Sequence, residues 1–255
     1  VRAMTKASPL IKDLKKYKTA YLMAVPAVVL LFIFHYIPIY GLLIAFQNYK
    51  PARGISGSTW VGLKNFTDFL TNSQFSTLLR NTLHISVYSL LAGFPAPILL
   101  ALMLNEVRCA RFKKAVQTIT YMPYFISTVV LVSMILQLTD ISTGIVNQIL
   151  TALGAAPKNF MGNIQYFRGL YVWTGVWQSM GYSAIVYLAA LTGVPQDLYE
   201  AARVDGASKI RRIIAIDIPY IAPTIITLFI LYTGSILSIG FEKIYLMQNS
   251  INTPV

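Results

Sequence analysis

Glu200-Ala201-Ala202, then Asp205-Gly206-Ala207, then Ile216-Asp217-Ile218-Pro219 make up the most closely specified run in this chain. A connecting loop so closely specified between apolar runs is expected where a partner reads it. A glycine can turn the chain behind it, and a proline suits the start of the next element. A second set of residues suits ligand contact instead. Aromatic faces and amides together suit a ligand with both apolar faces and polar groups, which singles out Trp173, Trp177, Gln178 and Tyr182, with Tyr232, Thr233 and Ser235 further on. The competing reading of the first four is helix packing and interfacial anchoring. Thr and Ser also satisfy themselves against their own helix backbone. Asn147 and Gln148 are candidates for an outer gate. His35 and His84 have no partner at metal-ligand spacing, so structural roles and no metal site are expected. Cys109 is the one cysteine, which excludes a disulfide framework within the chain.

The elements that must position these residues are apolar. Hydrophobic residues are 56% of the 255, and charged residues 12%, about half the usual charged share of a soluble domain. Runs of about twenty apolar residues can cross a hydrocarbon core. Five spans are expected, at about 19–46, 82–104, 115–138, 169–194 and 220–240, and none contains Asp, Glu, Lys or Arg. Strict alternation of apolar and polar residues, which a membrane barrel requires, is absent. The expected fold is all-α, a polytopic helical bundle. Residues 1–18 form an N-terminal segment ahead of a transmembrane domain over 19–255, with a charged loop at 195–219.

The formal net charge of +12 would fit a nucleic-acid binder, but its distribution points elsewhere. Arg2, Lys6, Lys12, Lys15, Lys16 and Lys18 precede the first span. Arg108, Arg111, Lys113 and Lys114 separate the second and third, and Arg203, Lys209, Arg211 and Arg212 the fourth and fifth. Fourteen of the twenty-one basic residues thus fall on one side. The positive-inside rule puts the N-terminus and the Glu200 loop in the cytoplasm. The basic surplus then serves topology and lipid headgroups, and no nucleic-acid partner is expected. With five spans Val255 lies on the outer face, so a sixth span is expected to follow it.

The connecting segments carry their own signals. Trp60 to Phe66 leads into a short amphipathic stretch after a glycine-interrupted outer loop, and Thr143 to Leu153 has the apolar spacing of a short helix. Gly93, Pro95 and Pro97 are expected to kink the second span. In the charged loop, Pro195 and Asp197 suit a helix start. Gly206 can turn left-handed, and Ser208 to Ile216 resumes as a basic amphipathic helix.

Glu-Ala-Ala, then Gly206, then Ile216, Ile218 and Pro219 at fixed spacing resemble the EAA loop of ABC importer permeases, with Ile218 in place of the usual Leu. Tyr121-Met122-Pro123-Tyr124-Phe125-Ile126-Ser127, Asn159-Phe160, Tyr187-Leu188-Ala189-Ala190-Leu191 and Gly240-Phe241-Glu242-Lys243-Ile244-Tyr245-Leu246 extend the resemblance to sugar-importer permeases of the maltose/multiple-sugar type. It covers nearly all of Lys18 to Val255. Within that family the likeness is to the subgroup that takes up complex oligosaccharides, including those from pectin and alginate. The resemblance implies a MetI-like core in the bacterial cytoplasmic membrane. It implies as partners a second permease subunit, two cytoplasmic ABC ATPase subunits and an extracellular or periplasmic solute-binding protein. It assigns ATPase coupling to Glu200, Ala201, Ala202, Asp205, Gly206, Ile216 and Pro219. No catalytic residue and no cofactor in this chain are implied, ATP and Mg being held by the ATPases.

Two absences agree with that expectation. No Gly-x-x-x-x-Gly-Lys-Ser/Thr run is present to cradle phosphates, and the expected spans hold no Asp, Glu, Lys or Arg for an ion relay. A permease for a non-sugar solute would share the EAA loop. A membrane-embedded enzyme is the rival from another class, and it would need convergent His, Asp or Glu at membrane depth, which the spans lack.

Overall fold

The computed structural model describes residues 16–236, 238 and 240–249. The basic residues at 2–15 and the closing stretch at 250–255, on which part of the topology reading rests, lie outside them. The chain divides into two units, one through Phe75 and the other from Ser76.

The first unit is dominated by a helical run over Lys18–Phe46. It opens with α1 (Lys18–Leu31), passes through a π-helical turn at Phe32–Tyr36 and ends in 3-10 geometry over Ile37–Phe46. Pro26 and Pro38 lack the amide hydrogen that a regular α ladder needs, which accounts for local departures from it. As far as Tyr40 its apolar side chains are exposed all round, Leu22 and Met23 at 71% and 77%, as befits a helix whose solvent is lipid. Two short strands follow, β1 (Gln47–Asn48) and β2 (Thr59–Trp60), paired antiparallel with Gln47 opposite Trp60. Phe46 stacks on Trp60 at 5.6 Å, and the Asn65 amide donates to the Ala45 and Gln47 carbonyls, both at 3.0 Å. These contacts seat α2 (Lys64–Thr71), the amphipathic stretch anticipated after Trp60.

In the second unit, α3 (Ser73–Gly93) and α4 (Pro95–Asn105) run on from one another through Phe94. The helix begins at Ser73, nine residues before the expected span, because its polar N-terminal turns need not stop at a membrane boundary. A pair then replaces the expected third span. α5 (Ala110–Tyr121) leads to a 3-10 turn at Met122–Phe125, and α6 (Thr128–Thr139) leaves it bent by 101°. Pro123 starts the turn, Ile126 is extended, and the Ser127 hydroxyl caps the new helix by accepting from the Val130 amide at 3.4 Å. The 115–138 stretch is therefore not a straight span.

α7 (Ile145–Ala152) lies in the loop where a short helix was expected. Then comes α8 (Ile164–Thr192), the longest helix in this unit and the centre of its packing. Against its C-terminal half, Ala184, Tyr187, Leu188 and Leu191 are buried with Ala101, Leu102 and Leu104 of α4 and with Ile221. Near its N-terminal end, Phe167 is buried with Leu131, Val132 and Ile135 of α6 and with Met247. Gly181 lets α5 pass close by, since a Cβ there would sit 2.0 Å from the Thr120 carbonyl oxygen.

The chain continues through α9 (Gln196–Val204) and α10 (Lys209–Arg212), a π turn at Ile213–Asp217 and α11 (Ile218–Gly234). The basic helix and the last long span are thus one run, Lys209–Gly234. The π turn absorbs the hydrogen bond that Pro219 cannot donate. The run ends at Gly234 rather than 240, and α12 (Phe241–Met247) follows. Among the described residues, three helical stretches are long and apolar enough to cross a membrane: Lys18–Phe46, Ser73–Asn105 and Lys209–Gly234. The bent pair makes a fourth if taken as one span. α8 is long enough, but its Tyr, Trp and Gln residues keep it outside that set.

Candidate functional site

Two places in the second unit gather the residues singled out by sequence. The first is the loop between α8 and α11. α9 ends in a Schellman turn: the Ala207 amide donates to the Ala202 carbonyl at 2.8 Å, and the Gly206 amide to that of Arg203 at 3.1 Å. Gly206 has φ +70°, which a side chain would strain. Ser208 caps α10, accepting from the Arg211 amide at 3.3 Å. Glu200 is exposed and makes no hydrogen bond or ion pair among the described residues. Ala201, Asp205 and Pro219 are exposed too, and Ala202 and Ile216 half-buried. Val204 is 88% exposed and Ile210 70%. A free carboxylate flanked by exposed apolar side chains has the make-up of a docking surface rather than a folded-back loop.

Behind that surface lies a polar network that the sequence reading did not include. Arg212 donates to Glu106, just past the end of α4, at 3.1 Å, with both side chains largely buried. The Tyr199 hydroxyl donates to fully buried Asp217 and accepts from the Asn105 amide. Burial first, and then the neighbouring Asp217 carboxylate, push the Tyr199 hydroxyl up to about 12, so it stays a donor. Both arms of the loop are thereby pinned to the end of α4. The available signal was the acid at Glu106 in an otherwise basic connector, with the basic run Lys209, Arg211 and Arg212 in the loop as its possible partners.

The second place is a cavity of about 620 Å³ among α3, α4, α8, α11 and α12. Gln178 and Tyr182 line it from α8 and Tyr232 from α11, joined by Ser89, Tyr171, Ser179, Ser183 and Lys243. A smaller cavity of about 230 Å³ shares Ser89, Tyr171 and Tyr232 with it and adds Ser86, Ser235 and Ser238. Trp173, Trp177 and Thr233 line neither. Helical phase explains this. At about 100° per residue, Trp173 and Trp177 point well away from the face holding Tyr171, Gly175, Gln178 and Tyr182. Trp173 is 56% exposed and donates to the Tyr88 hydroxyl at 2.8 Å. Thr233 bonds the Ile230 carbonyl at 2.9 Å. The cavity's polar groups are held in place. The Gln178 amide donates to the Ile126 carbonyl at 2.8 Å, leaving its oxygen to accept. The Tyr182 ring stacks on Tyr124 at 3.9 Å and 5°.

Asn147, a gate candidate, is 2% exposed and has its amide bonded to the Thr139, Asp140 and Lys158 carbonyls and the Lys158 amide. It pins its own loop. His84 accompanies Asn81 in holding the Arg168 guanidinium.

Residues 93–241, more than half of the chain and including α8, the loop and most of the cavity lining, match the family described as the binding-protein-dependent transport system inner membrane component. The chain belongs to that family. It is a membrane-embedded, non-catalytic transport subunit of an ABC system. It is 44% identical over 250 residues to the polygalacturonan/rhamnogalacturonan transport system permease protein YteP of Bacillus subtilis, covering 98% of this chain and 78% of the relative. It is 43% identical to protein LplB of the same organism, over 95% of this chain and 76% of that one. Among solved structures, a bacterial ABC transporter involved in the import of the acidic polysaccharide alginate superposes with a TM-score of 0.88. The two are 39% identical, with 96% of this chain and 82% of that chain covered.

Proposed function

We propose that this chain is the permease subunit of an ATP-driven importer for oligosaccharides handed over by a solute-binding protein. The hydroxyl- and amide-lined cavity carries the reading, since tyrosine faces, serine hydroxyls and the Gln178 oxygen suit a sugar's rings and hydroxyls. YteP is named for a polygalacturonan/rhamnogalacturonan transport system, and the solved transporter is involved in the import of the acidic polysaccharide alginate. Partners follow the family pattern: a second permease, two cytoplasmic ATPases and a binding protein. The basic residues set the orientation, with the N-terminus and the Glu200 loop inside. The chain then spans the membrane five times, with α8 and the bent pair each counted once.

The mechanism uses the two sites in turn. Glu200 and the apolar residues around it seat in the ATPase, ATP closure moves both arms of the loop, the Glu106–Arg212 and Asn105–Tyr199 contacts carry that motion into α4, and the packing of α4 on α8 passes it on. The cavity opens outward to receive sugar and inward after hydrolysis. The chain makes and breaks no covalent bond. In proteoliposomes of the whole importer, Glu200→Ala and Gly206→Pro should each cut uptake at least roughly tenfold with assembly intact, the loss expected when a buried charged contact is removed. Undiminished uptake in both variants would overturn the coupling role.

A further inference from the structure

Lys243, just past the last long helix, is 9% exposed, and its side chain lines the cavity. Its Nζ donates to the Tyr171 carbonyl oxygen at 2.8 Å and lies 4.7 Å from the centre of the Tyr171 ring. Gly175, one turn along α8, leaves room for it, since a Cβ there would stand 3.4 Å from Nζ. A carbonyl and a ring face solvate the ammonium without neutralising it, and two of its three donors are left over. Buried charges are ordinarily paired, because the loss of hydration is otherwise uncompensated. No Asp or Glu is among the cavity's lining residues, and the one ion pair found among the described residues is Arg212–Glu106. Burial lowers the Lys243 pKa to about 8, which leaves it largely protonated at neutral pH.

We propose that Lys243 is a specificity-determining residue that takes a carboxylate of the cargo, so that the cavity favours acidic, uronate-containing oligosaccharides. The inference rests on the oligosaccharide reading and narrows it. A neutral sugar needs only neutral partners, and Gln178, Tyr232 and Ser89 already supply them; it would leave the ammonium without a counter-charge. A uronate ring brings hydroxyls and a carboxylate in one unit and matches both kinds of group. The anion arrives with the cargo and leaves with it, so the unpaired state is that of the empty cavity.

The test uses the whole importer in proteoliposomes with three labelled probes: trigalacturonate, its neutral methyl ester and maltotriose. The unmodified importer should carry trigalacturonate. Lys243→Met should lower that uptake at least roughly tenfold, the scale of a lost charge-assisted hydrogen bond, while Lys243→Arg retains most of it. Uptake of any neutral probe should change less than about twofold in Lys243→Met. An equal loss for acidic and neutral probes would overturn the inference by making Lys243 structural, paired for example with an acid of the second permease. Unchanged trigalacturonate uptake in Lys243→Met would overturn it as well. An unmodified importer that carries a neutral probe but not trigalacturonate would sink the acidic preference and leave the oligosaccharide reading standing. One that carries none of the three would count against that reading itself.

Discussion

Asn147 shows how much a single amide can hold. It is buried, and its four bonds tie the loop before α7 to the stretch around Lys158. Close by, the Asp140 carboxylate takes the Ser142 and Thr143 amides and hydroxyls, which hold its pKa well below the usual carboxylate range. Asn147→Ala would strand several backbone groups away from water, at about 1–3 kcal/mol for each group left unsatisfied. The expected result is faster hydrogen exchange across 139–158, with α8 unaffected. Unchanged exchange there would show that water replaces the amide. By sequence Asn147 is a candidate for an outer gate, from its place in the outer loop. In the structure its partners are three carbonyls and the Lys158 amide, eleven residues away or nearer, which no local pattern reveals.

At the scale of elements, the junction of α4 with the Glu200 loop joins the two sites. Arg212 and Glu106 lie 106 positions apart in sequence yet form a largely buried pair. Glu106→Ala would leave a guanidinium without its counter-charge, at a cost of about 3 kcal/mol. It should therefore lower the Tm of the purified complex and reduce sugar moved per ATP. The exchanged pair, Glu106→Arg with Arg212→Glu, should recover much of both; single and double changes that merely add would show that the two residues act separately. Much at this scale was legible. The run lengths of apolar residues located α1, α3–α4 and α11, and Gly206 marked the turn after α9. The 101° bend between α5 and α6 was not. Pro123 inside an apolar run reads as a kinked span, whereas Ser127 starting a fresh helix depends on where that helix packs. The cavity face was half legible, because Trp173 and Trp177 were grouped with Gln178 by closeness in sequence instead of by helical phase. No local pattern marks Lys243 as a cavity residue, and only the packing of α12 beside α8 buries it.

For the molecule as a whole, the physical question is which way it sits in the membrane. The charge asymmetry gives one answer: the basic connector from Arg108 to Lys114 shares a side with Arg203 to Arg212. The structure adds a mechanical reason, since Glu106 at the start of that connector grips Arg212 in the loop, so the two cannot lie on opposite faces. Cys109 provides a native reporter, being the one cysteine and exposed just before α5. A membrane-impermeant maleimide should label it in inside-out vesicles and not in intact cells, provided the ATPases are stripped away first. A Cys109→Ser chain carrying a new cysteine at Ser142, in the loop after α6, should give the opposite pattern. Labelling of Cys109 from outside intact cells would reverse the orientation and place the Glu200 loop beyond the reach of any cytoplasmic ATPase. Labelling of both positions from one side would instead make the bent pair a re-entrant hairpin, and α8 would then have to begin and end on that same side for the Glu106–Arg212 pair to form.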